Sequence, residues 1–254
     1  MKYCIDMPFT FPGGITRYFD LIIPDGNPRD IPLLIWIHGG AWIGGEKRVH
    51  QEFERFLYRG FAVLSIDYRF AQEAPFPAQI IDCKTAVRWA RAIAENFGYN
   101  ADRIIVGGNS AGGHLAALMG VTNGVAEYDQ GEHLDFSSDV QAVVDMFGPV
   151  NLVPEELPSL AEVLSTFLQD DPQKIRDASP IQRITGAEPP FLIMQGEKDP
   201  TVPLDQSVRF YEALRSAGVE AELCTVPGAG HGFDTLEAYT TLTDFILRQA
   251  PSAR

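Results

Sequence analysis

The sequence has little cysteine, and what it has forms no pairing pattern. Cys4, Cys83 and Cys224 are an odd number at wide spacing. No C-x-x-C occurs, so neither a zinc knuckle nor a dithiol redox centre is indicated. Cys83 and Cys224 sit in apolar patterns and read as small buried hydrophobes. Positive charge is scarce too: 20 Lys and Arg stand against 34 Asp and Glu, a net charge of −14. A nucleic-acid partner is not expected, because neutralising phosphates needs clustered Lys and Arg. Long hydrophobic runs are missing, none approaching the ~18 residues that suggest a membrane span. Met1 to Thr10 contains Asp6 and Pro8 and no continuous apolar stretch. No signal peptide is therefore expected, and a cytoplasmic location is the expectation. Internal repeats and low-complexity tracts are also absent, as is a G-x-G-x-x-G dinucleotide loop after the first strand.

The chain does have enough apolar residues for one large core. At 254 residues with 45 % hydrophobic and 21 % charged side chains, it reads as a single globular domain over 1–254. A domain of this size buries roughly 70–75 % of its unfolded surface, so neither disulfides nor metals are needed for stability.

Short apolar runs recur at long intervals: Leu33–His38, Phe61–Asp67, Ile104–Gly108, Ala142–Phe147, Phe191–Gln195 and Ala221–Val226. Such runs fit strands covered on both faces. Phe19–Ile23 adds an earlier strand, expected at an antiparallel edge. Helical periodicity lies between the runs. Ile80, Cys83, Val87, Ala90, Ala94 and Phe97 make one apolar stripe, with Lys84, Arg88, Arg91 and Glu95 off it. Asn109–Val121, Asp205–Ala217 and Leu236–Arg248 are further helices, with Asp205 as a helix cap and Gly218 as a stop. Alternating strands and helices predict an α/β fold with a mostly parallel central sheet and helices on both faces. Residues 151–177, rich in proline and carrying a helical stretch at Leu160–Leu168, are expected to form a small lid.

The strongest motif is Gly107-Gly108-Asn109-Ser110-Ala111-Gly112-Gly113. It contains G-x-S-x-G between a strand and a helix, the setting of a nucleophile elbow. The glycines allow a strained turn that lifts the Ser110 hydroxyl out of the sheet. His38-Gly39-Gly40-Ala41-Trp42 ends an earlier strand. Glycines there let backbone N–H groups approach a developing oxyanion, so Gly39, Gly40 and Ala111 are the expected oxyanion donors. His38 reads as structural, holding the loop through its ring. Gly230-His231-Gly232 follows the last strand, and a histidine between glycines on a loop is a poor core residue; His231 is the candidate base. His50 and His133 lie in polar sequence, and His114 is expected to pack against the elbow. The candidate acid follows Phe191–Gln195: Asp199, with Glu197 as competitor. The order Ser, Asp, His is that of the α/β-hydrolases. Asp67, Arg69 and Asp82 read as a buried ion-pair network. Trp42, Phe147 and Phe233 are aromatics beside these loops, with Trp42 the foremost substrate-binding candidate and core packing the alternative. No metal-ligating constellation is present.

The segments HGGAW, DYRFAQEAPFPAQIIDCKTAVRWAR, GGNSAGGHLAAL, AVVDMFGPVNL, ASPI, PPFLIMQGEKDPTVPLDQS and GAGHGF together resemble the hormone-sensitive-lipase-like esterases, and within them the bacterial bifunctional feruloyl and acetyl-xylan esterases. The likeness runs over about residues 15 to 248. It implies an α/β-hydrolase fold and cofactor-free hydrolysis of carboxylic esters by Ser110, His231 and Asp199. Asn109 departs from the Asp or Gly of many relatives. The HGG strand begins 33 residues in, leaving no room for the N-terminal cap of larger lipase-like relatives, which argues against a triglyceride lipase. The expected substrate is a small short-chain acyl ester, such as an acetyl or feruloyl ester of plant oligosaccharide. An arylformamidase or peptidase using the same three residues is the alternative. A non-catalytic hormone receptor is a third reading, disfavoured because His231 is present. A homodimer is the one protein assembly expected.

Overall fold

The computed structural model describes residues 1–11, 14–26, 29–48 and 53–250. His50 lies outside the described residues. The strands are β1 (Lys2–Phe11), β2 (Ile15–Ile23), β3 (Ile31–Ile37), β4 (Ala62–Ile66), β5 (Tyr99–Asn109), β6 (Ala142–Met146), β7 (Phe191–Gly196) and β8 (Ala221–Val226). The helices are α1 (Glu54–Leu57), α2 (Ala78–Phe97), α3 (Ala111–Gly120), α4 (Ala161–Leu168), α5 (Pro172–Ala178), α6 (Leu204–Ser216) and α7 (Leu236–Gln249). The sheet order is β1-β2-β4-β3-β5-β6-β7-β8. β2 runs antiparallel to both β1 and β4, and every later pair is parallel.

The central apolar runs form strands whose two faces are both covered, whereas Ala221–Val226 forms the partly exposed edge strand β8. Along β3, Leu33, Ile35 and Ile37 belong to one core, with α2, α3 and α6. Leu34 and Trp36 belong to the other, with α1 and α7. A period-two side-chain alternation on a fully buried strand needs apolar residues at every position, which is what LLIWI supplies.

The structure changes several of the expectations drawn from the sequence. Phe19–Ile23 is not an edge, because β1 pairs outside it. Asp205 does not cap α6. It lies in the first turn and pairs with Arg209 one turn on, at 2.7 Å. Lys84, Arg88 and Arg91 do not face water; all three are buried. Their spacing makes a second stripe on α2 that grips the loop before β6. Lys84 Nζ donates to Thr122 O at 2.8 Å, Arg88 Nε to Glu132 O at 3.0 Å, and Arg91 Nη2 to Asp139 O at 2.5 Å. Buried cations are tolerated there because carbonyl oxygens, otherwise orphaned, accept from them.

The Arg69–Asp82 pair forms as expected, with Nη2 to Oδ1 at 2.6 Å. Asp67 is not part of it: it accepts from Lys47 N at 2.8 Å and faces His38 instead. Cys224 is half-buried rather than core. Residues 151–177 follow β6 and carry α4 and the start of α5. Leu157, Leu164, Phe167 and Leu168 tie this segment into the core beside α3. Among the described residues, no helix is long and apolar enough to cross a membrane.

Candidate active site

Four loops meet at the C-terminal ends of parallel strands, where open α/β sheets place their ligands. The first is the turn from β5 to α3. Ser110 sits there at φ 54°, ψ −121°, a conformation unusual for a side-chain-bearing residue. The neighbours explain how it is held. A methyl group at Gly112 would overlap the carbonyl oxygens of Ile37 and His38, and one at Gly108 would overlap the Gly112 carbonyl. Ser110 N donates to Met146 O at 2.8 Å, and His114 N to Ser110 O at 2.9 Å. The elbow is thus pinned to β6 on one side and to the first turn of α3 on the other.

The second and third loops bring Asp199 and His231 together. Lys198 N donates to Ala229 O at 2.8 Å, and a methyl group at Gly196 would overlap Gly230 O, so the two loops run in contact. His231 Nε2 lies 2.9 Å from Ser110 Oγ, and its Nδ1 lies 2.7 Å from Asp199 Oδ2. Asp199 is buried, and its carboxylate is fully engaged. Oδ1 accepts from Thr201 N at 2.8 Å and Val202 N at 3.0 Å, while Oδ2 also accepts from Gln195 Nε2 at 2.8 Å. Four donors hold the carboxylate in one orientation, which in turn directs the imidazole. Glu197 stands apart: its Oε2 accepts from Gly228 N at 2.8 Å and makes no contact with His231.

The fourth loop follows β3. The β3–β5 ladder ends at Ile37 and Gly108, so Gly39 and Gly40 lie past it. Gly39 presses on the elbow: a methyl group there would stand 3.3 Å from Ser110 Cβ. Gly40, at φ 120°, curls back on Gly44 and takes a conformation favourable only to glycine. Ala111 opens α3, and a first-turn N–H has no intrahelical acceptor. His38 holds this loop as expected, its Nδ1 2.7 Å from Gly39 O and its ring stacked on Tyr68 at 4.4 Å. Burial lowers its pKa.

A family model described as BD-FAE matches residues 19–214. The chain belongs to the BD-FAE family. It is 38 % identical to esterase LipC of Mycobacterium tuberculosis over 228 residues, covering 85 % of this chain and 57 % of that one. The chain thus spans little more than half the length of that relative. Among solved structures, a truncated carbohydrate esterase from gut microbiota superposes with a TM-score of 0.88 at 31 % identity, over 98 % of this chain and 96 % of that one. An esterase of the Planctomycetes species Thermogutta terrifontis, solved with butyrate bound, gives 0.79 at 26 % identity, over 98 % and 96 %. The sheet and its helices therefore form an α/β-hydrolase fold.

The BD-FAE chain has a cavity of about 220 Å³ whose lining includes Asn109 and Gly232, the chain neighbours of Ser110 and His231. Six aromatic side chains stand in its wall: Trp36, Phe53, Phe56, Phe147, Phe233 and Tyr239. His38 also lines it, and an exposed Glu46–Arg48 pair at 2.6 Å stands among the lining residues. The Phe147 ring meets His231 edge-on at 5.0 Å and Phe233 at 5.4 Å.

Trp42 is not part of this wall, which corrects the leading pocket candidate. It is 0 % exposed, stacks on Phe167 at 4.6 Å, and donates from Nε1 to His114 Nδ1 at 3.1 Å. Ala41 and Trp42 both take positive φ, 51° and 57°, which turns the indole under the loop into the core rather than over the cavity. Trp36, Phe53, Phe56 and Tyr239 went unnoticed in the sequence because they come from β3, α1 and α7, far apart along the chain.

Asp145 is a second residue that the sequence reading passed over. It is a lone carboxyl within a buried apolar strand, and that oddity was the available signal. It pairs in register with Gly108 beneath the elbow. Its Oδ1 accepts from Gly148 N at 2.9 Å, and its Oδ2 has no partner among the described residues. Burial pushes its pKa from an ordinary 3.8 up to about 7. The native state therefore binds this proton more tightly than the unfolded chain does. The associated stability is complete below the ordinary value and is lost as pH rises through about 7. The loss is on the order of 4 kcal/mol. Asp145→Asn keeps the size and removes the charge. Its melting temperature relative to wild type should become more positive from about pH 5 to about pH 8. A difference that is flat or falls with pH would contradict this account of Asp145.

Proposed function

We propose that this chain is a serine carboxylesterase that hydrolyses short-chain acyl esters through an acyl-enzyme, with acetyl or feruloyl esters of plant oligosaccharides as its natural substrates. The observation that carries the reading is the hydrogen-bonded line Asp199–His231–Ser110, 2.7 Å and 2.9 Å, with Gly39 packed against the same elbow. Ser110 Oγ attacks the ester carbonyl while His231 Nε2 takes its proton. Asp199, held by its four donors, keeps the proton on Nδ1 and stabilises the imidazolium. The tetrahedral oxyanion is bound by the N–H groups of Gly39, Gly40 and Ala111. His231 then gives its proton to the departing alcohol, and water cleaves the acyl-enzyme by the same steps in reverse.

The acyl range follows from the cavity. Each buried CH₂ contributes ~0.8 kcal/mol only while it finds apolar wall to cover it. A space of about 220 Å³ is small beside the roughly 300–1,000 Å³ of sites that enclose drug-sized ligands. Its ring-lined wall suits a short acyl chain or a single aryl group. The butyrate in the Thermogutta esterase and the carbohydrate esterase from gut microbiota support the same direction. Purified protein assayed across p-nitrophenyl esters from acetate to palmitate should give its highest kcat/KM at butyrate or shorter. A maximum at about ten carbons or beyond would overturn this acyl range. Methyl ferulate tests the aryl option. N-formylkynurenine, if hydrolysed faster than any ester, would favour an arylformamidase.

A further inference from the structure

The oxyanion donors belong to two separate elements. Gly39 and Gly40 lie on the loop after β3, while Ala111 opens α3 with Ser110 just before it. Their N–H groups can converge on one oxygen only if the loop and the helix keep a fixed distance. The loop is under strain, since Gly40, Ala41 and Trp42 are three successive residues of positive φ. A non-glycine residue in that region costs on the order of 1–2 kcal/mol, so something must hold it there.

Besides the backbone packing of Gly39 and Gly112, a buried side-chain hydrogen bond links the two elements. Trp42 Nε1 donates to His114 Nδ1 at 3.1 Å, and the indole stands edge-on to the imidazole at 5.1 Å. His114 lies on the first turn of α3, and its own N–H closes the elbow on Ser110 O. On its far side, His114 Nε2 lies 2.7 Å from Ala178 O at the end of α5. The partners fix the tautomer: an indole N–H can only donate and a carbonyl can only accept. His114 is therefore neutral, with its proton on Nε2. Complete burial agrees, lowering its pKa to about 4.

We infer that Trp42 and His114 are positioning residues, joined by a buried hydrogen bond that sets the Gly39–Gly40 donors against Ser110 and Ala111. The inference rests on the esterase reading given above. A misplacement of about 1 Å can cost 10²-fold in rate, and the bond lies outside the substrate cavity. Its loss should therefore lower kcat and leave KM nearly unchanged.

The test compares W42F, H114Q and H114N with p-nitrophenyl acetate, alongside S110A as the background. Gln at 114 can still reach Ala178 O but leaves the indole without an acceptor. Asn places a side-chain oxygen where Nδ1 accepts. W42F and H114Q should each lose about 10- to 100-fold in kcat with KM within about twofold. H114N should retain kcat within about threefold, and the double variant W42F/H114Q should be no worse than the poorer single variant. If W42F fails to fold, the contrast between H114Q and H114N decides. Wild-type kcat in H114Q, or equal losses in H114Q and H114N, would overturn the inference while S110A remained inactive. Full activity in S110A would instead remove the esterase reading, and this inference with it.

Discussion

Ser110→Ala should give a folded protein whose ester turnover is lower by about six orders of magnitude, the loss seen when a serine hydrolase is deprived of its nucleophile alone. The reason lies in the kind of contribution the hydroxyl makes. Ser110 Oγ is half-buried, and its one side-chain partner is His231 Nε2 at 2.9 Å. Removing it breaks no core packing and strands no buried donor, so melting should change little. The backbone at φ 54° is as strained for alanine as for serine, so the elbow itself is not relieved. Binding of substrate in the neighbouring cavity should also persist. A fluorophosphonate probe should modify wild-type protein at Ser110 and fail to modify the variant. Retention of a tenth of the activity, or labelling at another residue, would exclude Ser110 as nucleophile.

Much of this candidate site is legible in the sequence because its signals are local. A serine between glycines after a buried strand needs no knowledge of distant chain. The same holds for a histidine between glycines and for two glycines ending a strand. β3, β4, β6, β7 and the second half of β5 were legible for a related reason: strands covered on both faces are continuously apolar. β1 was missed because it is an edge interrupted by a bulge. Its register shifts between Cys4 and Met7, Asp6 takes φ 53°, and Pro8 is tolerated there because one edge of the strand is unpaired. No alternation survives such a break.

What the sequence hid were choices made by tertiary packing. Lys84, Arg88 and Arg91 look like a solvated face until a loop from 122 to 139 is laid across them. Trp42 beside two glycines looks like a pocket wall. Its direction is set by two left-handed backbone turns and by Phe167, 125 positions further along the chain, so proximity in sequence said nothing about which side the ring faces. The cavity aromatics were hidden for the converse reason. Phe53, Phe56 and Tyr239 belong to no motif, and only the meeting of α1 and α7 over Trp36 turns them into a wall.

Asp199→Asn should lower kcat by about 10⁴, while Glu197→Gln should change it by less than about threefold. The two carboxylates lie two residues apart on one loop, and the sequence left them as rivals. Their surroundings separate them. Asp199 is buried and touches His231 Nδ1 at 2.7 Å, whereas Glu197 is exposed and caps the Gly228 N–H at the far end of the turn. The asparagine variant loses charge beside the imidazolium that forms in the transition state. It also threatens the tautomer. The Asp199 carboxylate now accepts from Gln195 Nε2 and from His231 on the same oxygen. An amide nitrogen at that position would face two donors, so His231 would be pressed to move its proton to Nε2, where it can no longer accept from Ser110. An amide oxygen there would leave the nitrogen facing Thr201 N and Val202 N instead, with the same conflict on the other side. Either orientation costs a hydrogen bond, so Asp199→Asn should also melt lower than wild type, whereas Glu197→Gln keeps an oxygen for Gly228 and should not. The measurement is kcat for p-nitrophenyl acetate, with thermal melting, on both variants. A greater loss of kcat in Glu197→Gln would mean that the imidazole takes its orientation from the other carboxylate.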